Sequence, residues 1–202
     1  SGQNNVYTRY KGSGGVPVSN FWRKFLYGWK FDGTRFLFSS YITSETRLMM
    51  HRNIKDRVNT LAPFLSYDDD PYITIIDGQL YWLIDAYTTS GYFPYSEKFS
   101  GVEAIGYGEN IATQNVYDEL GAELRGKNYM RNSVKVAINA YNGDVNFFVF
   151  EEDDPIINVY DKIFPGLLKS KSEMPEEMME HVRYPADMLL VQGLIYAKYH
   201  MT

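Results

Sequence analysis

The sequence predicts an α+β fold, with an antiparallel sheet from two β-hairpins (about 73–87 and 134–150) packed by N- and C-terminal helices. Three observations carry this reading. Runs rich in β-branched and aromatic residues flank Asp77-Gly78 and again Asn142-Gly143, and such dipeptides between such runs are strong hairpin signals. Apolar residues recur at helical spacing toward both ends of the chain. A length of 202 residues, 45% of them hydrophobic and none of them cysteine, suits one core built without disulfides.

Residues 1–17 read as a flexible lead-in carrying Gly12-Ser13-Gly14-Gly15, and 18–202 as a single domain. Ser19 is an N-cap for a helix from Asn20 to about Lys30. Phe21, Trp22, Phe25, Leu26 and Trp29 share one face of it. Arg35 to Tyr41 continues as a short helix or turn. A longer helix is expected from Thr43 or Ser44 to Ala62, before Pro63. Met50, Ile54, Val58 and Leu61 form its apolar stripe, and Arg47, His51, Arg52, Lys55 and Arg57 occupy its other faces.

Tyr67 to Tyr72 is a polar turn. Ile73–Ile76 and Leu80–Tyr87 make the first hairpin. Thr88 to Gly126 reads as a long loop with a helix near Asn115–Leu124. In the second hairpin Val134, Val136 and Ile138 alternate with Lys135, Ala137 and Asn139, and Asn142-Gly143 suits a type I′ turn. Asp154 and Pro155 are N-cap and first residue of a helix ending at Phe164-Pro165-Gly166. Pro175 and Pro185 open two more helices, the last running to the C-terminus. Ile84-Asp85-Ala86-Tyr87 echoes Ile138-Asn139-Ala140-Tyr141. A duplication behind that echo predicts that both hairpins lie in one sheet.

The net charge of -5 conceals a polarity. Residues 1–62 hold ten basic and three acidic side chains, a surplus of +7, and the rest of the chain carries -12. The basic part can pack on the acidic part or face an anionic surface. Arg47, Arg52, Lys55 and Arg57 are the candidates for such a surface.

No catalytic spacing is present: no Gly-x-Ser-x-Gly, no His-Glu-x-x-His, no P-loop. His51, His181 and His200 are far apart. Asp68, Asp70, Asp153 and Asp154 are the acidic residues that could supply calcium oxygens, without EF-hand spacing. Gly106-Tyr107-Gly108 lacks the strand and helix of a dinucleotide fingerprint. The aromatic run from Tyr87 to Tyr95 is either core or a stacking platform. Its charge is not positive, so nucleic acid is set aside.

Ordered blocks carry a family likeness. They include Ala62-Pro63-Phe64-Leu65-Ser66-Tyr67-Asp68-Asp69-Asp70-Pro71-Tyr72, Asp77-Gly78-Gln79-Leu80-Tyr81-Trp82-Leu83-Ile84-Asp85-Ala86-Tyr87, and Tyr129-Met130-Arg131-Asn132-Ser133-Val134. Further blocks are Asn139-Ala140-Tyr141-Asn142-Gly143, Asp153-Asp154-Pro155-Ile156, Phe164-Pro165-Gly166-Leu167 and Arg183-Tyr184-Pro185. Together they resemble the uncharacterised protein family 0182. These are large prokaryotic proteins with several N-terminal transmembrane helices and a large extracytoplasmic region. Asn139 stands where the family has aspartate. The family has no assigned activity, so no catalytic residue and no cofactor is implied.

The resemblance implies that membrane spans precede this chain and that more soluble chain follows it. The expected role is a non-catalytic extracytoplasmic interaction or assembly module at the cell membrane. Its expected partners are the remainder of its own chain, anionic lipid or envelope proteins. The alternative is a cell-envelope enzyme or carbohydrate-binding domain in which Trp82, Asp85, Tyr87, Tyr92 and Tyr95 line a cleft.

Overall fold

Both faces of the central sheet are covered, so its middle strands are buried over Leu83–Thr88 and Ser133–Asn139. The computed structural model describes residues 10–31, 34–39, 42–99 and 124–200. Among these lie β1 (Val16–Pro17), α1 (Phe21–Phe31), α2 (Thr34–Phe38), β2 (Arg47–Leu48) and α3 (Ile54–Leu61). Next come β3 (Ser66–Tyr67), β4 (Tyr72–Ile76), β5 (Gln79–Ser90), β6 (Tyr129–Asn139) and β7 (Val145–Val149). Then follow α4 (Pro155–Ile163), β8 (Leu168–Ser170), a 3-10 turn (Lys171–Glu173), α5 (Glu176–Glu180) and α6 (Ala186–His200).

The α+β class and the two-hairpin sheet hold. Hairpins β4–β5 and β6–β7 join through β5 and β6 in one six-stranded sheet. The sheet is larger than two hairpins, because β3 adds to β5 and β8 adds parallel to β7. One core lies between the sheet and α3 and α4: Val58, Ala62, Ile84, Val136, Phe147 and Ile157. The other face packs Leu83, Ala137 and Phe148 against Met174 and Met178. The alternation in β6 suggests a wet face at Lys135, yet Lys135 is buried, because α5 and the segment leading into α6 cover that side.

Other expectations need correction. The helix expected from Thr43 or Ser44 to Ala62 is only its last two turns. Asn53 caps it, accepting from the amides of Lys55 and Asp56, and this local alternative to helix stops it there. Upstream, Arg47–Leu48 pairs with Val16–Pro17 as a small ribbon. His51, at φ 51°, turns the chain out of helical geometry. The loop expected from Thr88 starts later, since β5 continues to Ser90 against β6, past a register shift between Ala86 and Thr88. The helix near Asn115–Leu124 and the Gly106-Tyr107-Gly108 run fall largely or wholly outside the described residues.

The two turns also differ. Asp77 and Gly78 both have positive φ, 49° and 71°, as a two-residue type I′ turn demands. At the second hairpin only Gly143 does, at 79°. Its amide donates to the Asn139 carbonyl at 2.8 Å, and Asn139 and Asp144 close a four-residue loop. The Asn139 side chain accepts from the amides of Tyr141 and Asn142, which favours this wider loop over type I′.

The echoed tetrapeptides match in place only over their first two residues, Ile84-Asp85 and Ile138-Asn139, which are buried within strands. Asp85, Ala86 and Tyr87 are buried within a strand, whereas Ala140 and Tyr141 are exposed in a turn. Both hairpins do lie in one sheet, which a duplication and shared turn preferences alike allow.

Candidate functional site

A cleft of about 1040 Å³ opens between the β1–β2 ribbon, the approach to α3 and the turn joining β6 to β7. Arg47, Arg52 and Arg57 line it, with Glu45 as the sole carboxylate among the described residues that line it. Tyr10, Tyr141 and Trp82 supply rings; the two tyrosines lie 5.0 Å apart, tilted by 39°.

Backbone carbonyls set the arginines. Arg47 donates through Nε to the Gly14 carbonyl at 2.7 Å, and through Nη2 to those of Ser13 at 2.5 Å and Gly15 at 3.1 Å. Gly14 is required by close approach, since a Cβ there would sit 1.9 Å from the Asn142 carbonyl oxygen. Arg57 donates through Nη1 to the carbonyls of Met50 at 3.2 Å and His51 at 3.1 Å. Its Nη2 lies against Gly143, where a Cβ would meet it at 2.8 Å. Arg52 is exposed. Among the described residues no carboxylate pairs with any of these three.

The sequence thus pointed to three cleft arginines, but through a helix of which only Ile54–Leu61, carrying Arg57, forms. The ribbon and the loop bring them together instead. Lys55 turns away and pairs with exposed Asp69 at 2.5 Å. Tyr10, Glu45 and Tyr141 were not singled out. They lie far apart in the chain, and no local spacing marks them.

The aromatic set Trp82, Asp85, Tyr87, Tyr92 and Tyr95 does not share a site. Trp82 is half-buried at the cleft, while Tyr92 and Tyr95 are exposed beyond the end of β5. Tyr87 is buried and donates to Asp68. Burial first, then the Asp68 carboxylate, raises its hydroxyl far above the usual range. Asp85 is buried and takes a charged hydrogen bond from its cross-strand partner Lys135. Burial raises its carboxyl, and Lys135 works against that rise.

The four aspartates considered for calcium are divided. Asp68 accepts from Tyr87, from the Asp187 amide at 3.0 Å and from the Asp70 amide at 2.9 Å. Asp154 accepts from Thr88, Ser133, Tyr129 and the Ile156 amide. Burial alone raises the Asp154 carboxyl; the four donors, Ser133 and Thr88 foremost, outweigh it and hold the carboxyl below its usual range. Donors crowd the oxygens that a cation would need. Asp70 and Asp153 are exposed, and no metal-binding group of His, Cys, Asp and Glu occurs among the described residues.

A second surface stands apart from the cleft. Phe21, Trp22, Leu26 and Trp29 of α1 and Phe38 of α2 are exposed, Trp29 at 83% and Phe38 at 84%. The α1 rings touch one another along the helix, at 6.0 to 6.5 Å between centroids. Arg23, Lys24, Lys30 and Arg35 interleave, and neither helix contains an acidic residue. No helix among the described residues is long and apolar enough to cross a membrane.

The family model described as Uncharacterised protein family (UPF0182) matches residues 1–202. A UPF0182 protein of Desulforamulus reducens is 46% identical over 202 residues, covering 100% of this chain and 19% of that protein. One from Cupriavidus necator is 44% identical over 200 residues, covering 99% of this chain and 20% of the relative. One from Trichodesmium erythraeum is 45% identical over 204 residues, covering 98% and 21%. The chain therefore spans about one fifth of the length of these relatives. No solved structure matches it significantly. This chain belongs to the Uncharacterised protein family (UPF0182).

Proposed function

We propose that this region is a non-catalytic interaction module of a larger membrane protein, on the extracytoplasmic side, and that it docks on an anionic bilayer through α1 and α2. The exposed aromatic and basic surface of these helices carries the reading. An amphipathic helix with Trp, Phe and Leu on one side and Lys and Arg beside them suits the bilayer interface. Trp prefers the headgroup level, where its ring is half wet. Basic residues near an anionic leaflet each contribute on the order of 1 kcal/mol. The charge polarity works in the same direction, with the basic surplus in residues 1–62. The membrane address and its side rest on the family likeness.

Flotation of the 202-residue chain with vesicles tests the docking. Binding is expected to vesicles containing phosphatidylglycerol, to weaken in high salt, and to be lost in Trp22→Ser/Trp29→Ser. Equal binding to neutral vesicles overturns the electrostatic part. Absence of binding leaves the remainder of the chain as the occupant of this face and overturns the lipid reading. The side is tested in cells. The region lacks cysteine, so Ser172→Cys, at an exposed position, in a full-length protein otherwise free of cysteine should react with an impermeant maleimide added outside.

A further inference from the structure

The geometry points to the arginine cleft as a binding site for a phosphate-bearing ligand. Among the described residues, three guanidinium groups share the cavity with one carboxylate, that of Glu45. Arg47 and Arg57 are held by backbone carbonyls of residues 13–15 and 50–51. Carbonyls orient a guanidinium without cancelling its charge, so the field in the cleft stays positive. The bonds made leave Nη1 of Arg47 and Nε and Nη2 of Arg57 without hydrogen-bond partners among the described residues. Arg52 forms no hydrogen bond or ion pair among them.

A guanidinium held this way presents a planar fork, which matches phosphate oxygens two at a time. Its orientation is set before the ligand arrives, which reduces the ordering cost of binding. A phosphomonoester carries close to two negative charges at neutral pH, and it meets the charge surplus better than a single carboxylate does. The cavity, about 1040 Å³, is larger than a phosphate alone. The ligand therefore carries a body, for which the Tyr10–Tyr141 pair and Trp82 offer ring faces. A soluble phosphomonoester and a phospholipid headgroup present the same group.

Calorimetric titration of the 202-residue chain with pyrophosphate and glycerol phosphate tests the site, with citrate and sulfate as comparison anions. Saturable binding of a phosphate compound is expected, about tenfold or more weaker in Arg52→Gln. That variant removes an exposed side chain that makes no hydrogen bond or ion pair among the described residues, and an unchanged melting curve verifies its fold. Trp22→Ser/Trp29→Ser should bind pyrophosphate as the parent does, which separates the cleft from the α1 surface. Binding of glycerol phosphate identifies a soluble source. Flotation with phosphatidic acid vesicles that falls in Arg52→Gln, without glycerol phosphate binding, identifies a lipid source. The proposal is overturned if no phosphate form binds, if binding is unmoved by Arg52→Gln, or if citrate and sulfate bind as tightly as pyrophosphate.

Discussion

Asp68 and Asp154 lie on opposite faces of the sheet and are held by adjacent residues of one strand. Tyr87 donates to Asp68 and Thr88 to Asp154. Each aspartate is fully buried, and each also accepts an amide from the first turn of a helix: Asp187 of α6 for one, Ile156 of α4 for the other. The C-terminal third of β5 thereby fixes where a helix starts on each side of the sheet.

Removing one of these donors should therefore loosen the attached helix. Tyr87→Phe leaves Asp68 buried with two amides and no hydroxyl. The expected loss is about 1–3 kcal/mol, read as a lower urea midpoint with unchanged slope. Unaltered stability would show that the Asp68 oxygen is satisfied by other means.

Asp154 makes folding sensitive to acid. Its carboxyl sits below the usual range when folded, so the unfolded chain binds that proton more tightly. The contribution is complete above the unfolded value of about 3.9 and is lost as pH falls through the lower folded value. Asp154→Asn should flatten the acid limb of stability against pH below about 4. It should cost less at neutral pH than Asp154→Ala, which removes the cap and strands Ser133 and Thr88 at roughly 2–4 kcal/mol. An acid limb unchanged in Asp154→Asn contradicts this account.

Asp85 and Lys135 form a buried cross-strand ion pair, with side chains 5% and 6% exposed. Asp85→Asn leaves a buried ammonium without its counter-charge and should cost about 3–5 kcal/mol. Replacing both, as Asp85→Leu/Lys135→Met, should recover most of that loss, because it also removes the desolvation cost of two charges. A double-mutant cycle in urea at pH 7 measures the coupling; additive losses would remove the pair from the account.

Two hairpin glycines separate backbone strain from site geometry. Gly78→Ala meets open space at φ 71° and should cost about 1 kcal/mol from backbone strain alone. Gly143→Ala, at φ 79°, also pushes on the Arg57 guanidinium. It should lose at least as much stability and weaken pyrophosphate binding too, whereas Gly78→Ala leaves binding unchanged. Titration of both variants compares them.

Hairpins, the α4 cap and the helix at Phe21–Phe31 were legible because their signals are local. Asp-Gly, Asp-Pro and a three-and-four apolar spacing act within a few residues. The cleft was legible only in part. Arg47, Arg52 and Arg57 stood out as a basic cluster, but helical spacing spread them over several faces of one helix. Asn53 and His51 break that helix by local capping and a left-handed backbone, and the ribbon with Val16–Pro17 then turns Arg47 inward. Tyr10 and Glu45 join from positions that no local pattern relates to them.

The sequence alone determined the α+β class, the hairpins, the charge polarity and the family, because turn chemistry, periodicity and ordered short blocks do not need the fold to be read. Only tertiary structure decided that Lys135 and Asp85 are buried, that Tyr87 is a core anchor and not a cleft wall, and that three arginines share a cavity. Burial depends on which helix covers which face of the sheet, and that is settled by contacts between residues as far apart as Asp68 and Asp187.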